Sequence, residues 1–430
     1  MFTSGRYVIV DDERDQLRLL VDSLHAIGAP CVGVHYTGKP LDRAAFAGVR
    51  VLFSDLFLLQ GVTQPMLQYA ALEGMLRANV DPATGGPYLL IIWTTHDEKV
   101  EGLRDYLRER LDPALRPLAV LTLDKNDFLD GQPGLAAAVH ERVNSSPQVR
   151  ALVAWEADVL AAAGATLAAV TDLIPAEQRD VDGFSALLDG VLSRLAVAYA
   201  GRPNVEPDRR GAINGALVPI LADRIANAPA RPELAGIWGA AITKHQALPA
   251  IDDVQAGRMN RMLHVAIPPA EPVSSTDWGA ALLLPGDERA DGPMLERFGM
   301  KYPELLSQVF RVQKADRVRC TPVLVRVGAV CDFAQRKPGP LPYLLGLIVP
   351  ADIAHKDIVQ LKSEIASPLL LLKEADGPVR LLVNARFQIS LVSPPAKFTP
   401  LFRVREQLLT TIIAHAGEYQ TRPGVVKLPE

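Results

Sequence analysis

A set of polar side chains directly follows short apolar runs in the first third of the chain. It consists of an acid pair, a lone acid, a hydroxyl and a lysine: Asp11 and Asp12, Asp55, Thr94, and Lys125. Carboxylate oxygens and water are the ligands that Mg²⁺ prefers, so the three acids would suit that ion if they met. The sequence therefore predicts one site built from these residues, provided that the fold brings them together.

The apolar runs before these residues have the character of buried parallel strands, because each is short, continuous and rich in β-branched or aliphatic residues. With one further run, they cover residues 7–10, 30–36, 49–54, 88–93 and 118–123. Apolar residues at helical spacing separate or follow them, at residues 17–24, 64–79, 98–111 and 135–143. This alternation predicts a parallel sheet with right-handed crossovers, in which functional groups gather at the carboxyl ends of the strands.

The order of these strands and polar residues resembles the receiver domain of two-component response regulators. The resemblance covers residues 1–145 and implies a doubly wound, flavodoxin-like fold around a parallel five-stranded sheet. It implies that Asp55 is the phospho-acceptor and that Asp11 and Asp12 bind Mg²⁺ together with it. The backbone carbonyl of Phe57, two residues after the acceptor, would be a further ligand.

The same resemblance implies how the phosphate is held and where it comes from. Thr94 matches the hydroxyl that bonds a phosphoryl oxygen, and Lys125 matches the lysine that pairs with the phosphate. A histidine kinase or a related ATPase would be the partner. We expect no catalysis beyond phosphoryl acceptance on Asp55, because the sequence has neither a Walker-type Gly-Lys-Ser/Thr loop nor a Gly-x-Gly-x-x-Gly motif.

The sequence departs from the family pattern at three points near Lys125. Asn126 follows the lysine where the family usually has proline, and Thr122 stands where it usually has an aromatic residue that moves on activation. The interval from Thr94 to Lys125 is also long. The first two departures concern signal transmission more than phosphate chemistry, so we expect the site to accept phosphate and to pass the change on by a different route.

Residues 146–265 are predicted to form a helical domain. Alanine and leucine are frequent there, and the candidate helices cover residues 151–173, 184–200, 210–226 and 234–245. A packed bundle or interaction spacer is the favoured interpretation. No lysine and arginine cluster marks a recognition helix, so a DNA-binding output is not expected.

Residues 266–430 are predicted to form a β-rich C-terminal domain, either an α+β fold or a small barrel. The strand-like runs are residues 280–284, 322–330, 343–349, 379–383 and 387–392, and residues 404–415 have a helical pattern. Short strands joined by turns are typical of such compact domains.

One motif in this domain, Cys331-Asp332 with Gln335 close behind, follows the second of these runs. It loosely resembles a signature of uncharacterised bacterial proteins that pair an atypical receiver with a β-rich domain, and it implies a role in antiphage defence. Cys331 could be a nucleophile and Asp332 its partner or a metal ligand, as in a receiver-regulated nuclease or hydrolase. We favour the structural alternative, a small buried cysteine with Asp332 capping a turn.

Composition gives the remaining expectations. The net charge of −4 offers no general reason to expect nucleic acid. Residues 301–337 nevertheless hold eight lysines and arginines against three acids, which would suit nucleic acid, a nucleotide or an acidic partner. A solvated face balanced by acids elsewhere is the favoured alternative.

The cysteines and the apolar runs bear on the compartment. Three cysteines without close pairing favour a reducing compartment. The first residues do not resemble a signal peptide, and uninterrupted apolar runs such as Leu369–Leu372 are far shorter than a membrane span. We therefore expect a cytoplasmic protein without a membrane segment.

Overall fold

A computed structural model provides the fold. It describes residues 7–83, 86–128, 134–229, 232–353, 362–392, 394 and 396–422, without the side chains of residues 143, 233 and 234. The chain forms two compact units, residues 1–167 with 221–247, and residues 168–220 with 248–430. The boundaries of these two units differ from those of the three predicted domains. The division into three domains therefore stays a prediction.

The first unit contains a parallel five-stranded sheet in the order β2-β1-β3-β4-β5. Its strands are β1 Tyr7–Asp11, β2 Cys31–His35, β3 Val51–Ser54, β4 Leu89–Thr94 and β5 Ala119–Asp124. Every residue of β3 and β4 is buried, which explains why these strands are continuous apolar runs. The predicted parallel sheet is therefore confirmed.

Helices cover both faces of this sheet. They are α1 Arg14–Ala26, α2 Pro65–Asn79, α3 Val100–Arg110 and α4 Leu135–Asn144. Successive strand residues point to opposite faces, so Leu52 packs in the core with α2 and α3, whereas Phe53 packs in the core with α1 and α4. The connection from β2 to β3 contains only a 3₁₀ turn, Arg43–Phe46, whose Phe46 is buried.

An ion pair fixes the amino end of β3. Arg50, directly before the strand, donates from Nη2 to Glu156 Oε1 at 2.6 Å and from Nε to Oε2 at 3.2 Å. Both side chains are mostly buried, with 15% and 23% of their surface exposed. Glu156 belongs to the long helix α5, Pro147–Asp172. One end of β3 is therefore tied to a helix, and the other end leads to Asp55.

The middle of the chain is helical, as predicted. After α5 come α6 Phe184–Ala200, α7 Arg202–Val205, α8 Arg209–Ala226, α9 Pro232–Ala241 and α10 Asp253–His264. The last of these was not predicted. Its apolar residues include Met259, Met262 and Leu263, which are exposed. Because its apolar residues do not all lie on one buried face, its sequence lacks the clear pattern of an amphipathic helix.

By length and composition, α5 is apolar enough to cross a membrane, although only 17% of its most apolar window is buried in the structure. The segment from α6 to α8 meets the same criterion as a pair of helices bent by 106°. Core helices of soluble proteins also meet it. The expectation of no membrane segment rested on the length of uninterrupted apolar runs. Helix α5 has polar residues among its apolar ones, but its mean hydropathy is high.

The second unit contains a curled, antiparallel seven-stranded sheet in the order β10-β11-β9-β8-β7-β12-β6. Its strands are β6 Val265–Ala266, β7 Ala280–Leu283, β8 Thr321–Arg326, β9 Leu341–Pro350, β10 Glu364–Ala366, β11 Val379–Leu391 and β12 Pro400–Val404. Its helices are α11 Asp291–Phe298, α12 Tyr302–Glu304, α13 Val330–Ala334 and α14 Glu406–Thr421. The predicted β-rich character of this region is therefore confirmed.

Two strand predictions in this unit were wrong in detail. The runs 379–383 and 387–392 belong to one strand, β11, whose register shifts between Asn384 and Gln388. The run 322–330 ends as a strand at Arg326, and α13 begins at Val330 after Gly328, whose φ is 112°. Cys331 consequently lies in a short helix and not at a strand end.

Candidate functional site

The predicted polar residues of the first unit meet at the carboxyl edge of the parallel sheet. Asp11 ends β1, and Asp55 follows β3 directly. The pairing of these strands continues one residue beyond β3, because the Asp55 backbone N–H donates to Val10 O at 3.0 Å. This pairing sets the two carboxylates side by side, as their positions at the ends of apolar runs predicted.

Lys125 is the centre of the site. Its Nζ donates to Asp55 Oδ2 at 2.7 Å and to Asp11 Oδ2 at 3.1 Å, and it also donates to Gln16 Oε1. The lysine side chain is 3% exposed. A buried ammonium is costly unless it is paired and hydrogen-bonded, and here two carboxylates and an amide oxygen satisfy all three of its donors.

Asp12 completes the acidic cluster. Ligand atoms of Asp11, Asp12 and Asp55 all lie within 4.8 Å of one another, and all three residues are buried. The backbone carbonyl of Asp12 accepts from His35 Nε2 at 3.0 Å, which ties this residue to the end of β2. The cluster is therefore held by strands β1, β2 and β3 at once.

Burial and mutual repulsion make this cluster electrostatically unfavourable. Burial raises the pKa of Asp11 to about 6, although Lys125 and the Glu13 backbone N–H act in the opposite direction. Burial also raises the pKa of Asp12, and the neighbouring Asp55 carboxylate raises it further. One lysine does not neutralise three buried carboxylates, so the cluster favours a further cation.

These residues fit a divalent metal ion such as Mg²⁺. The donor set consists of carboxylate oxygens that approach one another closely, which is the chemistry of a hard-cation site. The predicted fourth ligand, Phe57, lies at the same edge, where its backbone N–H donates to Asp55 Oδ1 at 3.1 Å. Its ring contacts that of His96, and Lys99 Nζ lies 4.8 Å from the ring centre.

Thr94 ends β4 at the same edge and is buried. The strand pairs with β5 in a register that sets Thr94 opposite Asp124, the residue before Lys125. Thr94 Oγ1 accepts from the His96 backbone N–H at 3.2 Å, which fixes the oxygen. A hydroxyl that accepts one hydrogen bond can still donate its own hydrogen.

Sequence reasoning missed Gln16 as a partner of the lysine. It lies in the first turn of α1, four residues after Asp12, and its Nε2 donates to Glu13 Oε2 at 2.6 Å. A polar residue that starts a helix directly after the acids would have been a usable signal, because the helix begins at the same sheet edge.

The residues that the structure describes do not assemble a comparable site around Cys331. Its thiol is exposed and lies 3.6 Å from Asp332 Oδ1, which itself pairs with Lys337 Nζ at 2.6 Å. Gln335 contributes its backbone carbonyl, which accepts from Asn204 Nδ2. The favoured expectation of a buried cysteine was therefore wrong, and Asp332 is engaged in an ion pair.

The basic stretch 301–337 agrees in part with the favoured interpretation of a solvated face balanced by acids elsewhere, since five of its eight cations are exposed. Four of its cations form ion pairs with acids: Lys301 with Asp291, Arg311 with Glu364, Arg319 with Asp352 and Lys337 with Asp332. Arg326 is buried. Half of the eight cations are thus paired with acids.

Comparisons with known proteins give no match: no family model, no curated protein and no solved structure matches this chain.

Proposed function

We propose that the first unit is a receiver-like module of a signalling protein and that Asp55 accepts a phosphoryl group in the presence of Mg²⁺. The observation that carries the proposal is Lys125, whose buried Nζ contacts both Asp55 and Asp11 at the carboxyl edge of a parallel sheet. A carboxylate beside an ammonium, a hydroxyl and two further acids has the groups that phosphoryl transfer to an aspartate needs.

The strand order supports the finer fold assignment. A parallel sheet ordered β2-β1-β3-β4-β5 is the doubly wound, flavodoxin-like order, in which ligands bind beside the strands at the point where the order reverses. That point lies between β1 and β3, where Asp11 and Asp55 stand. The 3₁₀ turn between β2 and β3 takes the place of a crossover helix and is a departure from the receiver pattern.

In the proposed reaction, a carboxylate oxygen of Asp55 attacks the phosphorus of a phosphodonor. An acyl phosphate bond forms, and the bond from phosphorus to the donor's leaving group breaks. The Phe57 backbone N–H holds Oδ1 of the nucleophile, while Lys125 contacts Oδ2. Lys125 then moves its contact to a phosphoryl oxygen, and Thr94 donates its hydroxyl hydrogen to another.

Asp11, Asp12, Asp55 and the Phe57 carbonyl would hold Mg²⁺. Bound there, the ion supplies positive charge that offsets the repulsion between the acids and the phosphoryl oxygens. Asp11 and Asp12 must be ionised to bind it, and their raised pKa values show that ionisation costs free energy in its absence.

The phosphodonor partner would be a histidine kinase or a kinase-like ATPase, and the helical and C-terminal regions would pass the change on. The link to antiphage defence and the cytoplasmic location stay predictions from the sequence. An effector enzyme centred on Cys331 has less support, because the neighbouring Asp332 is already paired with Lys337.

The test is incubation of the full chain with acetyl phosphate and Mg²⁺, followed by intact mass spectrometry. We expect the mass of one added phosphoryl group, lost on mild alkaline treatment as an acyl phosphate would be. The addition should require Mg²⁺ and should be absent in Asp55→Asn.

Asp124→Asn is the matched control, because Asp124 also ends a strand at this edge but only caps the Asn126 backbone N–H, at 2.8 Å. It should be phosphorylated normally. An unmodified wild-type chain, or a phosphorylated Asp55→Asn chain, would reject the proposal.

A further inference from the structure

The second unit contains a cleft of about 700 Å³ that the proposed function does not use. The end of β8, the loops at residues 274–277 and 335–341, and the stretch from α6 to the start of α8 line it. Small-molecule sites typically enclose about 300–1,000 Å³. The cleft therefore has the size of a metabolite site.

Arg326 is the unusual residue of this cleft. It is the last residue of β8 and lies on the same face of the strand as Leu324, whose side chain is in a hydrophobic core. Arg326 is only 6% exposed, and its Nε is buried without a hydrogen-bond partner. Its side chain forms no ion pair or hydrogen bond with any residue that the structure describes. A buried guanidinium in this condition is unfavourable unless something else pairs with it.

The surroundings of the guanidinium include an aromatic ring but, among the described residues, no carboxylate at ion-pair distance. The ring of Phe333 lies 5.2 Å from the guanidinium carbon. Burial lowers the pKa of Arg326, while Tyr343 and Asp277 act in the opposite direction. Arginine nevertheless stays protonated in proteins, so the positive charge remains. An anion would remove this cost.

The other two cations of the cleft, Lys337 and Arg336, differ in whether they form an ion pair. Lys337 pairs with Asp332 at 2.6 Å. Arg336 is exposed, has a φ of 45°, and forms no ion pair with the described residues. The cleft thus offers two cations, Arg326 and Arg336, to a ligand.

Two acids and two hydroxyls complete the polar lining. Asp277 accepts from the Ser274 backbone N–H, and Asp208 accepts from the Gly211 backbone N–H, each at 2.8 Å. Their remaining carboxylate lone pairs, with the hydroxyls of Ser274 and Thr276, suit hydroxyl groups of a ligand.

The walls of the cleft are held in place before any ligand binds. Tyr343 Oη donates to Ser275 O at 3.2 Å, which fixes the 274–277 loop against β9. Asn204 donates to Gln335 O, which fixes the loop after α13 to α7. A preorganised site loses less free energy to ordering when it binds.

We propose that this cleft binds a small phosphate ester that carries hydroxyl groups, with the phosphate on Arg326 and Arg336. Guanidinium groups match the geometry of phosphate oxygens, and two of them suit a doubly charged ester. The carboxylates and hydroxyls would bind the sugar or polyol part. A nucleotide and a sugar phosphate share this chemistry, and binding experiments separate them.

The experiment is isothermal titration calorimetry on the full chain with four probes: adenosine 5′-monophosphate, ribose 5-phosphate, inorganic phosphate and adenosine. We expect one or both esters to bind, inorganic phosphate to bind more weakly, and adenosine not to bind. Binding of adenosine 5′-monophosphate alone identifies a nucleotide site, and tighter binding of ribose 5-phosphate identifies a sugar-phosphate site.

Arg326→Gln should weaken ester binding about 10- to 100-fold, the usual effect of losing a hydrogen bond to a charged group. Arg336→Gln should weaken it several-fold, and because Arg336 is exposed this variant tests the proposal even if Arg326→Gln does not fold. Arg380→Gln is the matched control, since Arg380 is half-buried in β11 of the same unit and does not line the cleft.

Four results would overturn the proposal. They are no binding of either ester at millimolar concentration, binding of inorganic phosphate as tight as that of the esters, binding of adenosine as tight as that of its phosphate, and unchanged ester binding in folded Arg326→Gln or in Arg336→Gln.

Discussion

Two buried cations, each near the carboxyl end of a strand, stand in opposite situations. Lys125, after β5, donates to Asp11, Asp55 and Gln16. Arg326, at the end of β8, has no ion-pair or hydrogen-bond partner in the part of the chain that the structure describes. Both side chains have lost nearly all their contact with water, but among the described residues only Lys125 has carboxylates paired with it.

This difference in pairing indicates the charge of the ligand that each site would bind. Around Lys125 the carboxylates outnumber the cation, so the missing component there is a further cation. Around Arg326 the missing component is an anion. A buried charge without a partner is stabilised when one is added, and so its surroundings indicate the sign of the ligand.

The largest expected effect comes from removing the paired cation. Lys125→Met leaves two buried carboxylates without their ammonium, which typically costs about 3–5 kcal/mol of the free energy of unfolding. Urea denaturation at neutral pH, without divalent ions, measures it. Lys125 lowers the pKa of Asp11, so without the lysine Asp11 should take up a proton already above pH 6, and part of the loss should be recovered as the pH falls. A loss below about 1 kcal/mol would show that the pairing around Lys125 contributes little.

The pH dependence of the free energy of unfolding tests whether the carboxylates around Lys125 exceed the positive charge available to them. Burial raises the pKa of Asp11 from 3.8 to about 6 in the folded chain. The folded state therefore holds this proton more tightly than the unfolded state does. The resulting stability is complete below about pH 4 and is lost as the pH rises through 6, by up to about 3 kcal/mol.

The measurement is the free energy of unfolding from pH 4 to pH 8 in wild type and in Asp11→Asn, in a metal-free buffer. The wild type should lose stability relative to the variant across that interval. The proposed Mg²⁺ would bind the ionised carboxylate, so the increase in melting temperature on adding Mg²⁺ should grow as the pH rises through 6. A difference between the two chains that does not change with pH would contradict this account of Asp11.

An intermediate effect is expected at Arg50, which is partly exposed but paired. Arg50→Gln should cost about 1–2 kcal/mol, because it breaks a bidentate pair with Glu156 whose groups are largely shielded from water. Arg18→Gln is the control, since Arg18 and Asp22 form an exposed pair on α1 and should contribute below about 0.5 kcal/mol. Equal losses in urea denaturation would remove burial as the deciding factor.

The smallest expected effect is at Arg326. Arg326→Met removes a buried charge that has no partner in the described structure, so stability should be unchanged or increased by up to about 1 kcal/mol. Arg311→Met is the comparison, because it leaves the buried Glu364 without the guanidinium at 3.4 Å and should destabilise the chain. A clear loss of stability in Arg326→Met would show that the chain does satisfy this charge.

Much of the first site could be predicted from the sequence, because its residues adjoin the strands that position them. Asp11, Asp55 and Lys125 each stand at or after the end of a continuous apolar run, and parallel strands share one carboxyl edge. The contact of Lys125 with both acids follows from this. The contact of Lys125 with Gln16 could not be predicted in this way, because it depends on which side chain of α1 reaches the lysine.

The second unit was less predictable for a physical reason. Its strands are antiparallel and pair over long sequence separations, so the burial of Arg326 depends on β7 and β9 on either side of it. Nothing near Arg326 in sequence indicates that burial. The bulge in β11 and the short strand β6 likewise depend on partners that local patterns do not encode.

Strand β3 has a charged attachment at each end, Asp55 after it and Arg50 before it, and only four residues lie between them. A strand rises about 3.3 Å per residue, so this rigid segment is about 17 Å from one attachment to the other. A displacement of Asp55 along the strand axis would therefore also move Arg50 and, through the ion pair of Arg50 with Glu156, helix α5. Under the proposed function, β3 therefore offers a mechanical route from Asp55 to α5 that does not pass through the position of Thr122.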